Sequence, residues 1–181
     1  MRTIYVDTRQ QAGKHEMKHS WLEGHGCVLV PRKLDVGDYM MEGVEDVSVD
    51  TKRSVDEIAM NIGGKNHKRF REECKRAQEQ GIHLVVLVEN INEYEEIRDL
   101  IRWTNTHCKM CRFRYERGCK PHAKGKCMKH KTNKPIQGPR LAKAMSTMQE
   151  RYGVEFQFCH PRECGQRILD ILGGGADVDA E

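Results

Sequence analysis

The segment from Ile82 to Val88 limits the possible folds more than any other part of this chain. It is almost entirely apolar, it is rich in β-branched side chains, and it ends at Glu89. A run of this length and composition predicts a strand that is buried on both faces of a sheet. Such a strand needs helices on both sides of the sheet to cover it. The segment therefore favours an α/β fold.

The other predicted elements alternate around this strand as an α/β fold requires. Strands are predicted at residues 4–6, 27–30, 38–41, 47–52 and 154–158. Apolar residues at helical spacing predict helices at residues 14–23, 55–60, 66–80 and 139–152 and from residue 161 onwards. Ser54 is expected to cap the second of these helices. Asn92 and Glu95 are expected to begin a further helix that carries Leu100.

Length and composition indicate one domain of ordinary size with a hydrophobic core. The chain has 181 residues, of which 32% are charged and 38% are hydrophobic. No apolar run approaches the ~20 residues that a membrane span needs, and the N-terminus is too soon polar for a signal peptide. We therefore expect an intracellular protein without membrane contact. Its eight cysteines are then expected to be thiols or metal ligands rather than disulfides.

Two acidic motifs predict a metal site at one edge of the sheet. Gly37-Asp38 is followed twelve residues later by Asp50, and Lys52 comes two residues after Asp50. Alternate strand residues point to the same face, so Asp50 and Lys52 would project side by side, with Asp38 as a second acid. Two acids and a lysine can hold a hard divalent cation and orient a water for phosphodiester hydrolysis. The alternative is a solvent-facing Asp–Lys pair worth under about 1 kcal/mol.

Five short motifs follow one another along the chain in a specific order. They are Val6-Asp7-Thr8-Arg9, Gly37-Asp38-Tyr39, Asp50-x-Lys52-x-x-x-Asp56, Arg69-Phe70 and Leu87-Val88-Glu89. This set resembles the nuclease domain of the XPF family of structure-specific endonucleases, whose signature is G-D, a variable gap and E-R-K-x-x-x-D. The resemblance runs from about Thr3 to Leu172, and it is closest to the compact bacterial and phage members. It implies an α/β restriction-endonuclease-like core with a PD-(D/E)xK active site.

The resemblance also implies the roles of the catalytic residues. Asp38 and Asp50 would bind Mg²⁺ or Mn²⁺. Lys52 would orient or help deprotonate the attacking water and would stabilise the charge that builds on the phosphate. Asp7 would lie nearby as an additional acid. Together these four residues form the predicted catalytic set.

Three further matched residues have supporting roles. Asp56 would brace Lys52 or a neighbouring arginine. Arg69 would contact a phosphate, with a surface role as the alternative. Glu89 lies at the end of the central strand, where a capping role is equally open.

The sequence departs from the family signature at three positions. Asp50 stands where the family has glutamate, and it is one methylene shorter. Thr51 stands where the family has arginine, so the contact of that arginine is lost unless Arg53 substitutes for it. Gln10 places a neutral amide where an acid is usual. The minimal set of two aspartates and one lysine remains.

A cysteine-rich insert, residues 104–137, separates two of the predicted helices. A C-x-x-C pair lets two thiolates reach one metal ion, and two further ligands complete a tetrahedron. The expected zinc ligands are Cys108, Cys111, Cys119 and Cys127, with His122 or His130 as alternates. Because the insert has almost no apolar residues, structural zinc would supply the missing folding free energy. The alternatives are a disordered basic loop with free thiols and an iron–sulfur cluster.

Positive charge is concentrated in the same region. Residues 102–143 contain thirteen of the 31 lysines and arginines and only one acid, while the rest of the chain has a net charge of −8. This asymmetry predicts a segment that binds a polyanion, the alternative being a solvated charged loop. Phe113 and Tyr115 would stack on bases or pack against the metal loop. The residues expected to contact the DNA backbone are Arg112, Arg114, Arg117, Lys120 and Lys124.

These expectations combine into one functional prediction, a Mg²⁺-dependent DNA endonuclease with a zinc-bearing basic insert. The nuclease domain would span residues 1–172, and residues 173–181 would form a disordered tail. The resemblance implies branched DNA as the substrate (flaps, forks or junctions), in recombination, repair or phage DNA processing, and pairing into a homodimer. The first alternative is a catalytically degenerate zinc-containing DNA-binding module. The second is an RNA-directed nuclease that uses the same site.

Overall fold

The predicted central strand lies inside a six-stranded mixed sheet. The computed structural model describes residues 2–10 and 13–173. The order of the strands across the sheet is β2-β1-β3-β4-β5-β6. Their bounds are β1 Arg2–Asp7, β2 Cys27–Arg32, β3 Tyr39–Met41, β4 Val44–Lys52, β5 His83–Glu89 and β6 Glu155–Cys159.

Strand direction brings the candidate catalytic residues to one edge of this sheet. β1 is parallel to β2, and β4, β5 and β6 are parallel to one another. β3 is antiparallel to both β1 and β4, so β1 and β4 run in the same direction. Asp7 at the end of β1 and Lys52 at the end of β4 therefore lie at the same edge. Asp38 lies there too, because it immediately precedes the antiparallel β3.

Helices cover both faces of the sheet, which confirms the predicted α/β fold class. α2, α3 and α6 pack on one face, and α1 and α7 pack on the other. The side chains of β5 alternate between these layers, with Val86 and Val88 in the first core and Leu87 in the second. The helix bounds are α1 Glu16–Gly24, α2 Val55–Gly63, α3 His67–Glu79, α4 Thr106–Lys109, α5 Arg112–Glu116, α6 Gly138–Tyr152 and α7 Cys164–Leu172.

Local capping agrees with the sequence prediction at one helix and differs at another. Ser54 caps α2, because its hydroxyl accepts a hydrogen bond from the backbone N–H of Glu57 at 3.1 Å. The helix predicted to begin at Asn92 and Glu95 is instead a 3₁₀ helix, Ile97–Arg102. Its capping box is formed by Glu96 and Asp99, four positions after the predicted box. A second 3₁₀ turn precedes α7.

The two ends of the insert are joined to each other by hydrogen bonds between buried residues. The backbone N–H of Gly138 donates to the carbonyl of Trp103 at 3.1 Å. The backbone N–H of Asn105 donates to the side-chain oxygen of buried Gln137 at 3.2 Å. A Cβ at Gly138 would lie 1.9 Å from the carbonyl oxygen of Leu100, so only glycine fits here. The insert therefore leaves and re-enters the domain at one place, the pairing of Trp103 with Gly138, which we call the neck.

The insert itself carries two short helices, α4 and α5, that apolar periodicity did not predict. The predicted disordered tail lies outside the described residues, except for Gly173, which caps α7. Within the residues that the structure describes, no helix is both long and apolar enough to cross a membrane.

Candidate active site

The predicted catalytic residues share one cleft at the edge of the sheet. Asp7, Asp38, Asp50 and Lys52 all line this cleft, which has a volume of about 260 Å³. Arg53 and Arg69 line it as well. Residues from three strand ends and from α3 thus surround one space, although they are up to 62 positions apart in the sequence.

The Gly37-Asp38 turn needs a glycine because it packs directly against β4. Gly37 has a φ of +72°, and a Cβ there would lie 2.2 Å from the Ser48 hydroxyl and 3.0 Å from the Val49 carbonyl oxygen. The backbone N–H of Asp38 donates to that same Val49 carbonyl at 2.8 Å. A side chain at position 37 would be strained and would push the turn away from the strand. The glycine therefore holds Asp38 beside the end of β4.

Asp50 and Lys52 form a buried pair on the face of β4 that α3 covers. Lys52 Nζ lies 2.6 Å from Oδ1 and 2.5 Å from Oδ2 of Asp50. The directed hydrogen bond is to Oδ1, but both oxygens lie within 2.6 Å of the ammonium group, so Lys52 is paired with the whole carboxylate. The candidate ligands Asp38 and Asp50 offer hard carboxylate oxygens, which fit a divalent cation such as Mg²⁺ or Mn²⁺.

The charges in the cleft act strongly on this pair. Burial raises the pKa of Asp50, and the charges of Asp38 and Glu73 raise it further, while Lys52 lowers it. Burial lowers the pKa of Lys52, but the negative charges of Asp50 and Asp38 more than compensate, so that its pKa is raised overall. Lys52 is thus an ammonium ion at neutral pH. Such an ion can donate hydrogen bonds to a phosphate and stabilise negative charge on it.

Thr51 holds the carboxylate of Asp38 in place. Its backbone N–H and its hydroxyl both donate to Asp38 Oδ2, at 3.0 and 2.8 Å. Although threonine replaces the arginine of the signature, the residue at this position therefore still contributes to the site by positioning Asp38. Because Thr51 points to the opposite face of β4 from Asp50, the sequence did not suggest this contact.

Replacing Thr51 with valine should weaken the site without unfolding the protein. Valine has nearly the same shape but cannot donate the side-chain hydrogen bond to Asp38. Loss of a partner that orients a metal ligand costs about tenfold in metal affinity or activity. We expect this loss in kcat/KM for DNA cleavage at limiting Mg²⁺. Thr51→Ser keeps the hydroxyl and serves as the control, so equal losses in both variants would contradict the role of this hydrogen bond.

Asp7 is buried in the cleft, but its two carboxylate oxygens are already engaged. Arg9 Nε donates to Oδ2 at 2.7 Å, and the backbone N–H of Leu34 donates to Oδ1 at 3.3 Å. Gln10 donates from its amide nitrogen to the carbonyl of Asp38 at 3.2 Å, while its Oε1 is buried without a partner among the described residues. Asp7 therefore fits a supporting role better than a direct one.

The wall of the cleft contains cationic and acidic residues that the sequence did not all reveal. Arg53 and Arg69 were predicted, and both are exposed there. The backbone N–H of Arg53 donates to a carboxylate oxygen of Glu57 at 2.9 Å. The spacing of 69, 73 and 76 on α3 could have identified a common face. The additional residues that line the cleft are Lys14, His15, Glu57, Glu73 and Arg76.

Asp56 and Glu89 have partners other than those considered from sequence. Asp56 was expected to brace Lys52 or an arginine, but it accepts hydrogen bonds from the backbone N–H and the hydroxyl of Thr106, at 2.9 and 2.6 Å. It therefore attaches the start of the insert to the N-terminus of α2. Glu89 forms a buried ion pair with Lys18 on α1 and does not line the cleft.

The four predicted zinc ligands of the insert surround one small cavity. Cys108, Cys111, Cys119 and Cys127 line a space of about 50 Å³ together with His130. Burial raises the pKa of the Cys108 thiol, the amide of Gln137 lowers it, and the other three cysteines raise it further. All four are free thiols. The four cysteines thus lie around one cavity of the insert.

Metal binding by either site nevertheless stays a prediction. Across residues 2–10 and 13–173, no group of three or more histidine, cysteine, aspartate or glutamate side chains is arranged to hold a metal ion. Of the two alternate ligands, His130 lines the cysteine cavity. His122 instead lies on another surface, with its Nε2 3.1 Å from the Thr104 hydroxyl.

The basic side chains of the insert surround its aromatic residues. The guanidinium groups of Arg112 and Arg117 lie 5.5 and 4.9 Å from the centre of the Phe113 ring. Phe113 also lines the cysteine cavity, whereas Tyr115 is 72% exposed. Phe113 therefore packs against the cysteine loop, and Tyr115 is the aromatic side chain that is available to a ligand. The predicted DNA contacts at the surface are Arg112, Arg117, Lys120 and Lys124, with Arg114 half-buried.

An α/β core with two aspartates and a lysine at one sheet edge is the restriction-endonuclease-like class of nuclease fold. Comparison with known families agrees, because the ERCC4 domain model matches residues 6–172. The chain belongs to the ERCC4-domain family of XPF-type nucleases. The predicted family and core are thereby confirmed, while the zinc-binding nature of the insert is not.

The solved structures that resemble the chain include XPF proteins. XPF from Aeropyrum pernix is 19% identical with a TM-score of 0.58, and the match covers 97% of this chain and 66% of that chain. XPF from Aeropyrum pernix in complex with DNA is 20% identical with a TM-score of 0.58, covering 99% and 68%. This chain thus spans about two thirds of the length of those proteins. No curated protein matches it.

Proposed function

We propose that this chain is a divalent-metal-dependent DNA endonuclease that hydrolyses phosphodiester bonds. The observation that supports this most strongly is the convergence of Asp38, Asp50 and Lys52 on one cleft, where the buried carboxylate of Asp50 lies against the Lys52 ammonium group. Membership of the ERCC4-domain family points in the same direction. Mg²⁺ is the proposed cofactor, and Mn²⁺ would substitute for it.

The proposed reaction is attack of water on phosphorus with departure of the 3′ oxygen. A divalent cation bound by Asp38 and Asp50 would lower the pKa of a water and polarise the phosphoryl group. Thr51 keeps Asp38 oriented towards the cleft. Lys52 would stabilise the negative charge that develops on the phosphate. Arg53 and Arg69 at the wall of the cleft would bind neighbouring phosphates.

We propose that the insert adds a DNA-binding surface supported by structural zinc. Cys108, Cys111, Cys119 and Cys127 would bind the zinc, and a closed set of four ligands would leave no position for catalysis. The neck at Trp103 and Gly138 and the contact between Asp56 and Thr106 attach this surface beside the cleft. DNA in the cleft would therefore meet the positive charge of the insert as well.

Branched DNA is the proposed substrate class, with a role in recombination, repair or phage DNA processing. It rests on the family and on analogy with proteins of the same fold, one of which has been solved with DNA. We also propose that the protein forms a homodimer and that it acts inside the cell, where DNA is available as a substrate.

The test is cleavage of end-labelled linear, flap, fork and four-way-junction DNA by the purified protein. Reactions in Mg²⁺, in Mn²⁺ and in EDTA are compared. We expect cleavage of the branched substrates with either metal ion and none in EDTA. Equal cleavage of linear and branched DNA would refute the substrate class while preserving the endonuclease.

The alternative is a catalytically degenerate DNA-binding module. The observation in its favour is the neutral amide of Gln10, which stands in the cleft where the family has an acid. Binding of branched DNA without cleavage in Mg²⁺ and in Mn²⁺ would establish this alternative. The second alternative is an RNA-directed nuclease that uses the same site. Matched RNA substrates test it, because no residue of the cleft is predicted to recognise the sugar 2′-hydroxyl.

A further inference from the structure

Helix α3 presents one acid to the cleft between two arginines. Arg69, Glu73 and Arg76 are four and three residues apart, so they share a face of the helix, and all three line the cleft. The adjacent face of α3 is anchored in the core by Phe70, Cys74 and Ala77. The helix is therefore held against the sheet, and Glu73 is held at the cleft.

The carboxylate of Glu73 is attached to the turn that carries Asp38. The backbone N–H of Gly37 donates to Glu73 Oε1 at 3.1 Å. Arg76 does not neutralise this acid, because its guanidinium group donates to the carbonyl oxygen of Asp35. Within the described part of the chain, Glu73 forms no salt bridge. Its negative charge therefore remains directed at the cleft.

The electrostatic environment of Asp50 and Lys52 includes the charge of Glu73. After burial, the charges of Asp38 and Glu73 are the next causes that raise the pKa of Asp50. The same two acids, after Asp50 itself, raise the pKa of Lys52 against the effect of burial. Glu73 thus acts on the same buried pair as Asp38 does, in a cleft that two arginines of α3 also line.

We propose that Glu73 is a third acid of the cation site. It supplies the negative charge that is missing because Gln10 stands where the family has an acid. The proposal rests on the proposed function, since it assumes a divalent cation at Asp38 and Asp50. Mg²⁺ retains several of its waters when it binds to proteins. A carboxylate beyond direct coordination can accept hydrogen bonds from these waters and strengthen binding. Glu73 is a positioning residue in this sense and acts through the cation site.

The test uses Mn²⁺ alone as the probe and requires no DNA. Mn²⁺ affinity is measured by calorimetry or electron paramagnetic resonance for the wild type and for Glu73→Gln, which removes the charge but can still accept the Gly37 hydrogen bond. We expect about tenfold weaker binding, the range found when an outer partner of a metal site is lost. The Mg²⁺ concentration for half-maximal cleavage should rise by a similar factor.

Glu72→Gln is the matched control. Glu72 lies on the same helix, is partly exposed, and pairs with Lys75 at 3.2 Å away from the cleft. Its substitution removes the same charge from α3 and should leave Mn²⁺ affinity unchanged. Glu73→Ala removes the Gly37 hydrogen bond in addition to the charge. Thermal unfolding in EDTA shows whether each variant is folded.

The outcomes separate this proposal from the function on which it rests. Weaker binding by Glu73→Gln and Glu73→Ala to the same extent, with Glu72→Gln unchanged, supports the role of the charge. Normal binding by Glu73→Gln with loss only in Glu73→Ala would show a structural role and overturn the proposal. Equal weakening by Glu72→Gln would overturn it as well. No Mn²⁺ binding by the wild type would refute both the proposal and the metal-dependent function.

Discussion

Replacing Asp38 or Asp50 with asparagine is expected to slow DNA cleavage by about a hundredfold to a thousandfold while DNA binding is retained. Asparagine has nearly the shape of aspartate, and its amide oxygen can still accept the hydrogen bonds that Thr51 donates to Asp38. It lacks the negative charge that a hard divalent cation requires. The measurement is single-turnover cleavage of labelled branched DNA in Mg²⁺, with binding measured separately in EDTA.

Asp35→Asn provides the control for this prediction. Asp35 lies two residues before Gly37 and is exposed, and its side chain does not line the cleft. The same change in charge should therefore leave cleavage intact. If Asp38→Asn and Asp50→Asn cleaved as fast as Asp35→Asn, the catalytic centre would have to lie elsewhere. If they lost DNA binding as well, the acids would serve the fold of the cleft and not its chemistry.

Removal of the metal from the insert is expected to have the second large effect. We expect about one zinc ion per chain in the wild type and its loss in Cys111→Ser, because a tetrahedral site needs all four ligands. Without it the insert has little apolar surface with which to order itself. Affinity for DNA should then fall by about tenfold to a hundredfold at moderate salt, since several phosphate contacts are lost together. Elemental analysis and salt titrations of binding measure these effects.

Two further variants separate the metal from the positive charge. His122→Ala lies outside the cysteine cavity and should keep its zinc. Arg112→Ala combined with Arg117→Ala should keep zinc as well but weaken binding and flatten its dependence on salt. A coloured protein that contains iron would favour a cluster instead of zinc. A metal-free wild type that binds DNA normally would show that the thiols have no structural metal.

The core of the candidate site was predictable because its pattern is local. Asp50 and Lys52 are two residues apart on one strand, so the period of a β-strand places both on the same face. Gly37 before Asp38 indicated a tight turn, and the turn indeed requires a positive φ and has no room for a Cβ. Asp38 was placed beside this pair from the same Gly-Asp motif, whereas Asp7 was added by the motif order of the XPF family.

The supporting contacts of the site were not predictable in the same way. Thr51 faces away from Asp50 along β4, yet it binds Asp38 from thirteen residues away because β3 runs antiparallel beside it. Asp56 belongs to the signature but binds Thr106, fifty residues further along the chain. Glu73 is one of many charged residues on a helix with a polar exposed face. Only the packing of α3 against the sheet distinguishes it from Glu72.

By itself the sequence determined the α/β class, the approximate position of each strand and the minimal pair of Asp50 and Lys52. These features depend on apolar runs and on the alternation of neighbouring residues, which are properties of short segments. Only the tertiary structure decided which distant residues complete the cleft and how the insert is attached to it. Those choices follow from the order and direction of the strands, because hydrogen bonds such as that from Gly37 to Glu73 join residues 36 positions apart.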